Sequence, residues 1–187
     1  MIMKNVLVPL AEGVEEMEAV IIIDVLRRAG WRVVSAAVRP PGQPGSLLKA
    51  SRGVLLAADV EWTAVRSEDF DALVLPGGSG GTQVLRRDAR ILEAVRSFAQ
   101  AGKWVAAICA GPLVLQDAGI LKGVRATCHP GVRQELREAL ASDDRVVVDG
   151  RIVTSQGPGT AFEFALTLIR LLEGAAAAGK VREGLVL

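Results

Sequence analysis

The chain has few of the residues that build disulfide scaffolds and metal sites. Among its 187 residues it has two cysteines, Cys109 and Cys128, and one histidine, His129. Two cysteines cannot form a disulfide framework, and so few are typical of a reducing compartment. A single histidine without paired-ligand spacing disfavours zinc. We therefore expect free thiols, no metal and no cofactor.

Charge and hydropathy give no sign of an anionic or membrane partner. The 22 basic and 21 acidic residues leave a net charge of +1 and are interspersed, so nothing favours binding to nucleic acid or an anionic membrane surface. The most apolar run, residues 20–23, is flanked by Glu18 and Asp24 and is too short to span a bilayer. Residues 1–10 enter a strand-like pattern and lack the segments of a secretory signal. We expect no nucleic-acid partner, no membrane association and a cytoplasmic location.

Short runs of valine, isoleucine and leucine alternate with longer segments of helical periodicity. This alternation predicts an α/β fold with a mainly parallel sheet covered by helices on both faces. Half of the residues are hydrophobic and no linker interrupts the pattern, so residues 1–187 are predicted to form a single domain. The predicted strands are residues 6–10, 31–38, 54–57, 72–75, 104–108, 124–128, 145–148 and 152–155, the last two joined by the hairpin signal Asp149-Gly150. The predicted helices are residues 14–29, 90–100, 112–118, 162–172 and an alanine-rich tail.

The segment around Cys109 carries the clearest chemical signal. In a parallel sheet, ligands bind at the carboxyl ends of the strands, and Cys109 directly follows the strand at residues 104–108. Small residues, Ala110 and Gly111, then lead into a helix, which is the pattern of a nucleophile elbow. The start of that helix would favour the thiolate and lower the pKa of Cys109. The alternative is a small buried core cysteine, and the local pattern supports the two equally.

Two glycines follow the neighbouring strand at residues 72–75. The backbone N–H groups of Gly77 and Gly78 could form an oxyanion hole together with the N–H of Ala110. An ordinary strand-to-loop turn is the simpler alternative. The spacing of the glycines from Gly77 to Gly81 fits neither a dinucleotide fingerprint nor a Walker A loop.

Two titratable residues could assist the thiol. His129 follows a predicted strand, and a histidine beside a cysteine can activate it, although a lone histidine is a weak signal. Glu18 lies in an apolar stretch, so it is expected to be partly buried and protonated, able to donate a hydrogen bond to a thiolate or to move a proton. Glu15 and Glu16 are expected only to complement the helix dipole. Cys128 is predicted to be structural.

Five segments form a pattern that is far more specific than any one of them alone. They are AEGVEEME at residues 11–18, LPGG at 75–78, AICAGP at 107–112, TCHP at 127–130 and TSQGPGT at 154–160. In this order, which is the order of the family, and covering nearly the whole chain, they resemble the DJ-1/PfpI superfamily. The resemblance is to the branch that contains the parkinsonism-associated protein deglycase and its bacterial relatives.

This resemblance implies a flavodoxin-like three-layer sandwich that forms a homodimer. It also implies a role for each matching position. Cys109 would be the reactive cysteine, Glu18 the protonated carboxyl bonded to its sulfur, His129 the nearby histidine, Gly78 and Ala110 the backbone N–H donors, and Arg52 an arginine near the dimer interface and the site.

The resemblance further implies a cysteine-dependent enzyme in protection against carbonyl and oxidative stress. Its substrates would be reactive dicarbonyls such as methylglyoxal (glyoxalase activity without glutathione) or their early adducts (deglycase activity). One alternative is a redox sensor or redox-regulated chaperone that works through oxidation of Cys109. A second is a PfpI-like amidase or protease. Relatives of that branch carry histidine directly after the cysteine, and Ala110 at this position disfavours proteolysis.

Overall fold

The structure is a computed structural model that describes residues 3–40 and 42–187. Its strands are β1 (Asn5–Ala11), β2 (Arg32–Val38), β3 (Leu47–Lys49), β4 (Leu55–Ala57), β5 (Val60–Glu61), β6 (Ala72–Leu75), β7 (Trp104–Ile108), β8 (Arg125–Ala126), β9 (Leu140–Ala141), β10 (Val146–Asp149) and β11 (Ile152–Ser155). Its helices are α1 (Glu16–Arg28), α2 (Ser79–Arg87), α3 (Ala89–Gln100), α4 (Pro112–Asp117), α5 (Ala161–Glu173) and α6 (Ala175–Gly184).

Seven strands form the central sheet in the order β10-β11-β7-β6-β1-β2-β5. Every neighbouring pair is parallel except β10 and β11. These two form the predicted hairpin, in which Gly150 takes the left-handed conformation that the tight turn requires, with φ of 57°. The predicted mainly parallel sheet is confirmed.

The core lies in two layers, one on each face of this sheet. Alternate residues of β1 point to opposite faces. Val6 and Val8 pack with helices α1, α5 and α6, whereas Leu7 packs with α2, α3 and α4. Helices therefore cover both faces, and the predicted flavodoxin-like three-layer architecture is confirmed.

The helix predicted at residues 14–29 is α1, and its ends follow from local chemistry. It begins at Glu16, two residues later than predicted, because the Glu15 side chain caps it by accepting the N–H of Glu18 at 2.7 Å. It ends at Arg28, and Gly30 beyond it has φ of 80°, the left-handed conformation that commonly stops a helix.

Several parts of the chain differ from the sequence prediction. Strands β3, β5 and β9 and helix α2 were not predicted, and the strand predicted at residues 54–57 is β4, which pairs with β3 outside the central sheet. The strand predicted at residues 124–128 shrinks to β8, which pairs with β9 outside the central sheet. Because β7 and β10 occupy both edges of β11, β8 cannot pair with β11. Helix α2 was not predicted because it begins Ser79-Gly80-Gly81, and glycine disfavours helices. The small residues are needed there, because a Cβ at Gly81 would lie 2.9 Å from the Cα of Val14.

Candidate active site

The carboxyl ends of β1, β6 and β7 meet at an open cleft of about 630 Å³. The structure brings the predicted site residues together here. Lining the cleft are Arg52, Gly78, Cys109, Ala110 and His129. Glu18 lies beneath it with no exposed surface.

Cys109 lies in a strained turn between β7 and α4. Its φ of 64° is in the left-handed region, which costs a non-glycine residue about 1–2 kcal/mol. Three backbone hydrogen bonds fix the turn. The N–H of Cys109 donates to the carbonyl of Ser155 at 2.9 Å, the N–H of His129 donates to the carbonyl of Cys109 at 2.9 Å, and the N–H of Gly111 donates to the carbonyl of Ile108 at 2.8 Å. Such strain persists only where the surroundings enforce it and is concentrated at functional sites.

Glu18 is a buried carboxyl in contact with this sulfur. Its Oε2 accepts the N–H of Gly77 at 2.7 Å. Its Oε1 is buried and has no hydrogen-bond partner among the atoms of the described residues. Burial raises the pKa of Glu18 to about 7, although the N–H of Gly77 and the nearby thiol of Cys109 act in the opposite direction. Glu18 can therefore hold a proton near neutral pH.

The predicted lowering of the Cys109 pKa is wrong. Burial, followed by the charge of the nearby Glu18 carboxylate, raises the pKa of the Cys109 thiol to about 12. The N–H groups of Gly78 and Ala110 oppose this rise, because they stabilise the thiolate. With Glu18 ionised, the thiol keeps its proton. Near neutral pH, Cys109 and Glu18 together retain one proton. Cys109 is a thiolate only in the form in which this proton is on Glu18.

The pH dependence of Cys109 alkylation should report this shared proton. As pH rises through about 7, the pair loses its first proton, at the raised pKa of Glu18, and the singly protonated pair includes the reactive thiolate. We expect the rate of alkylation by iodoacetamide to rise through an inflection near pH 7 and then to level off. Stopped samples analysed by intact mass would give this rate.

Glu18→Gln supplies the matched control for the alkylation profile. Glutamine resembles the neutral carboxyl but cannot share a proton. In the wild-type pair, the first proton can leave from either group. The pH at which it leaves therefore cannot exceed the pKa that the thiol alone would have beside a neutral partner, which is the situation in Glu18→Gln. The inflection should therefore move upward from its wild-type position. An unchanged inflection in Glu18→Gln would show that Glu18 takes no part in the ionisation.

Gly78 and Ala110 follow the carboxyl ends of the neighbouring parallel strands β6 and β7, and their N–H groups lie near the sulfur of Cys109. Gly78 has φ of 93°, and a Cβ at this position would lie 2.4 Å from the backbone nitrogen of Glu15. Only glycine therefore fits at this position. Two N–H groups directed at one point can stabilise an oxyanion that forms beside the sulfur.

His129 lies at the rim of the cleft and is exposed. Its Nδ1 accepts the N–H of Gly131 at 3.0 Å, so a neutral imidazole carries its proton on Nε2. Its ring also contacts Gly157, where a Cβ would lie 3.4 Å from Cδ2. In this tautomer the Nε2–H can donate a hydrogen bond to a bound substrate.

Glu16 has a structural role that the sequence did not reveal. It is buried, and its carboxylate accepts the hydroxyl of Ser51 at 2.7 Å and the N–H of Arg52 at 2.8 Å. Burial raises its pKa, but these hydrogen bonds outweigh it, and the pKa lies below its ordinary value. Glu16 thereby holds Ser51 and Arg52 in the cleft wall. Its partners are 35 and 36 residues away, so no local pattern could have indicated them.

The described part of the chain has neither a metal cluster nor a membrane-spanning helix. No group of three or more His, Cys, Asp or Glu side chains within residues 3–40 and 42–187 is arranged to hold a metal ion. None of the helices in the same part of the chain combines the length and the apolar character needed to cross a bilayer.

Comparison with known proteins establishes the family. The sequence model of the DJ-1/PfpI family matches residues 4–171. The chain belongs to this family. The Drosophila melanogaster protein dj-1beta is 40% identical over 185 residues, which cover 98% of this chain and 97% of that protein. The Caenorhabditis elegans glutathione-independent glyoxalase DJR-1.2 is 38% identical over 165 residues, covering 87% and 85%.

Solved structures of DJ-1/PfpI proteins agree with this fold. The crystal structure of Drosophila melanogaster DJ-1beta superposes with a TM-score of 0.94 at 40% identity, covering 100% of this chain and 99% of that chain. A structure described as Toxoplasma gondii DJ-1, oxidized, superposes with a TM-score of 0.92 at 40% identity and covers 98% of both chains.

Proposed function

We propose that this DJ-1/PfpI protein is a cysteine-dependent, cofactor-independent glyoxalase that acts on reactive dicarbonyls such as methylglyoxal. The observation that carries the proposal is the set of groups around one sulfur. Cys109 lies in a strained turn, in contact with a carboxyl that holds a proton near neutral pH and with two backbone N–H groups. A relative of 38% identity is named a glutathione-independent glyoxalase, which supports the same chemistry.

The first step is addition of the Cys109 thiolate to the aldehyde carbon of methylglyoxal. A carbon–sulfur bond forms and the carbonyl π pair moves onto oxygen. The N–H groups of Gly78 and Ala110 stabilise this oxyanion. Glu18 then transfers its proton to the oxyanion, which leaves a neutral hemithioacetal and a Glu18 carboxylate.

The remaining steps move one hydrogen and consume one water. The Glu18 carboxylate removes the proton from the hemithioacetal carbon, and the electron pair moves onto the neighbouring carbonyl oxygen to give an enediolate. The Nε2–H of His129 donates a hydrogen bond to this oxygen. Glu18 returns the proton to the neighbouring carbon, and the hydroxyl proton on the former aldehyde carbon moves to the charged oxygen, which gives a lactoyl thioester. Water then cleaves the thioester, releasing lactate, one proton and the Cys109 thiol. The sum is methylglyoxal plus water to lactate plus one proton, with no external oxidant or reductant.

The test is a stoichiometric assay without glutathione. We expect one lactate for each methylglyoxal consumed. Consumption without lactate would indicate simple adduct formation and would contradict the proposal.

The same cysteine chemistry extends to early adducts of dicarbonyls. The open cleft of about 630 Å³ leaves room for a substrate larger than methylglyoxal. We include deglycase activity in the proposal on this ground. Release of lactate from a preformed hemithioacetal, after free methylglyoxal has been removed by gel filtration, would separate repair from scavenging. No release would restrict the activity to the free dicarbonyl.

A redox role is the second candidate, and it rests on the same contacts. Oxidation of Cys109 by peroxide to a sulfinate would add oxygen atoms that the N–H groups of Gly78 and Ala110 and the protonated Glu18 are positioned to bind. Peroxide titration followed by intact mass should show a gain of two oxygen atoms on Cys109 alone. An unmodified Cys109 would count against redox sensing and redox-regulated chaperone activity.

An amidase or protease role is disfavoured by Ala110, and a panel of peptide and amide substrates would test it.

We also propose that the protein is a cytoplasmic homodimer. Both cysteines are free thiols, which suits a reducing compartment. Large apolar side chains are exposed on the outer face of α1 and on the adjoining hairpin of β3 and β4, and a second copy would cover them. They are Met17 at 55%, Val20 at 50%, Leu47 at 54%, Val54 at 49% and Leu55 at 62% exposed.

Val20→Asp should convert this dimer to a monomer. An aspartate at the centre of an apolar interface would be desolvated without a partner. Sedimentation equilibrium should give twice the chain mass of 19.7 kDa for the wild type and the chain mass for the variant. Leu140→Asp is the matched control, since Leu140 is 59% exposed on β9, away from the patch, and should leave the dimer intact. A monomeric wild type would refute the dimer.

A further inference from the structure

The segment TSQGPGT at residues 154–160 forms a hydroxyl network that the proposed chemistry does not use. The hydroxyls of Ser155 and Thr160 lie 2.6 Å apart and are buried. The N–H of Gly157 donates to the Thr160 hydroxyl oxygen at 3.1 Å, and the Ser155 hydroxyl donates to the carbonyl of Arg145 at 2.8 Å. The Thr160 hydroxyl also lies 2.9 Å from the carbonyl oxygen of Gly157, so both hydroxyls are satisfied whether Thr160 donates to Gly157 or to Ser155. Such fully satisfied buried networks are rigid.

This network completes a ring of contacts that contains both Cys109 and His129. The ring runs from Ser155 through Cys109, His129, Gly157 and Thr160 back to Ser155. The carbonyl of Ser155 accepts the N–H of Cys109, and the carbonyl of Cys109 accepts the N–H of His129, each at 2.9 Å. On the other side, Gly157 is held by Thr160 and lies beside the imidazole of His129, since a Cβ added at Gly157 would be 3.4 Å from Cδ2. The Thr160 hydroxyl is the only side-chain group that ties Ser155, beneath the sulfur, to Gly157, beside the imidazole, within the residues that the structure describes.

The segment that carries His129 depends on the same strand. It lies outside the central sheet, so backbone pairing does not fix it to β11. The N–H of Thr127 instead donates to the buried hydroxyl of Thr154 at 2.9 Å. Movement of β11 or of the turn after it would therefore change the position of His129 relative to Cys109.

We propose that Thr160 is a positioning residue that fixes the His129 imidazole relative to the Cys109 sulfur. The expected effect on turnover rests on the proposed function, whereas the expected change in the position of the imidazole does not. Small misplacements of reacting groups reduce rates strongly. Loss of the Thr160 hydroxyl would lower kcat more than it raises KM, because substrate could still enter the open cleft.

Thr160→Val is the decisive variant, because valine has nearly the same shape and lacks the hydroxyl. We expect kcat for methylglyoxal to fall about tenfold with KM within about twofold. Two readouts are independent of turnover. The rate of Cys109 alkylation should fall by a similar factor, and the imidazole signals in a long-range proton–nitrogen NMR spectrum should shift. That spectrum reports one residue, because the chain has a single histidine.

Two further variants separate positioning from general packing. Thr160→Ser keeps the hydroxyl and should restore both readouts. Thr167→Val, at a buried threonine of α5 that is 8% exposed and outside the ring, should leave both unchanged. If Thr160→Val does not fold, Ser155→Ala is measured in its place, since it removes the same hydroxyl contact.

The outcomes distinguish this inference from the proposed function. A folded Thr160→Val with wild-type alkylation rate and wild-type imidazole signals would overturn the positioning role, even if the wild type makes lactate. Shifted signals and slowed alkylation would support it, even if no methylglyoxal is consumed by any variant.

Discussion

Gly77→Ala is expected to reduce methylglyoxal turnover strongly and to destabilise the protein, because the site has no space for one more methyl group. A Cβ at this position would lie 2.6 Å from the Cβ of Cys109, 2.9 Å from Oε2 of Glu18 and 2.9 Å from the carbonyl oxygen of Ile108. Two of these three atoms belong to Cys109 and Glu18, which carry out the proposed reaction. To admit the methyl group, the ends of β6 and β7 must separate, which weakens the hydrogen bond from Gly77 to Glu18.

We expect the free energy of unfolding to fall by about 1–3 kcal/mol, the usual range for overpacking. Turnover should fall by about 100-fold or more, since the separation moves Cys109 away from its proton partner. Denaturant unfolding and the lactate assay would measure the two effects.

The matched control is Gly179→Ala, on the exposed surface of α6, where a Cβ would meet nothing within 4 Å. It should be neutral or slightly stabilising. Wild-type activity in Gly77→Ala would mean that the close packing around Cys109 is not needed for the chemistry.

The parts of the site that could be predicted from the sequence are those encoded locally. The strand, the cysteine and the small residues after it predict the turn at Cys109, and its φ of 64° agrees with that expectation. Glu18 was expected to be partly buried because its neighbours are apolar, and the structure buries it fully.

The parts that could not be predicted depend on contacts between distant segments. The sign of the Cys109 pKa shift was predicted wrongly, because a local pattern contains the helix start but not the burial or the Glu18 carboxylate that outweigh it. The ring through Thr160 joins residues from three segments. Helix α2 forms despite its glycines because they lie against the turn that follows β1. Sequence periodicity gives no information on features such as these, which tertiary contacts determine.

Cys109→Ser is expected to lose at least about 1000-fold in turnover, the scale on which removal of an enzyme nucleophile acts. A serine hydroxyl ionises far less readily than a thiol, and Glu18 is a poor base for it because its pKa of about 7 lies far below that of an alcohol. The N–H groups of Gly78 and Ala110 remain in place, so any residual rate measures what the oxyanion site alone contributes.

The control for this substitution is Cys128→Ala. Cys128 is buried at 4% exposure and does not line the cleft, so its removal should leave turnover within about twofold. Together the two variants separate loss of the nucleophile from loss of a thiol in general.

The measurement that tests the central claim most directly is a proton NMR time course of methylglyoxal without glutathione, run in parallel on the wild type, Cys109→Ser and Cys128→Ala. We predict that the lactate methyl doublet grows at equal rates with the wild type and Cys128→Ala and stays absent with Cys109→Ser. Lactate formed at the wild-type rate by Cys109→Ser, or no lactate from the wild type, would contradict a Cys109-dependent glyoxalase.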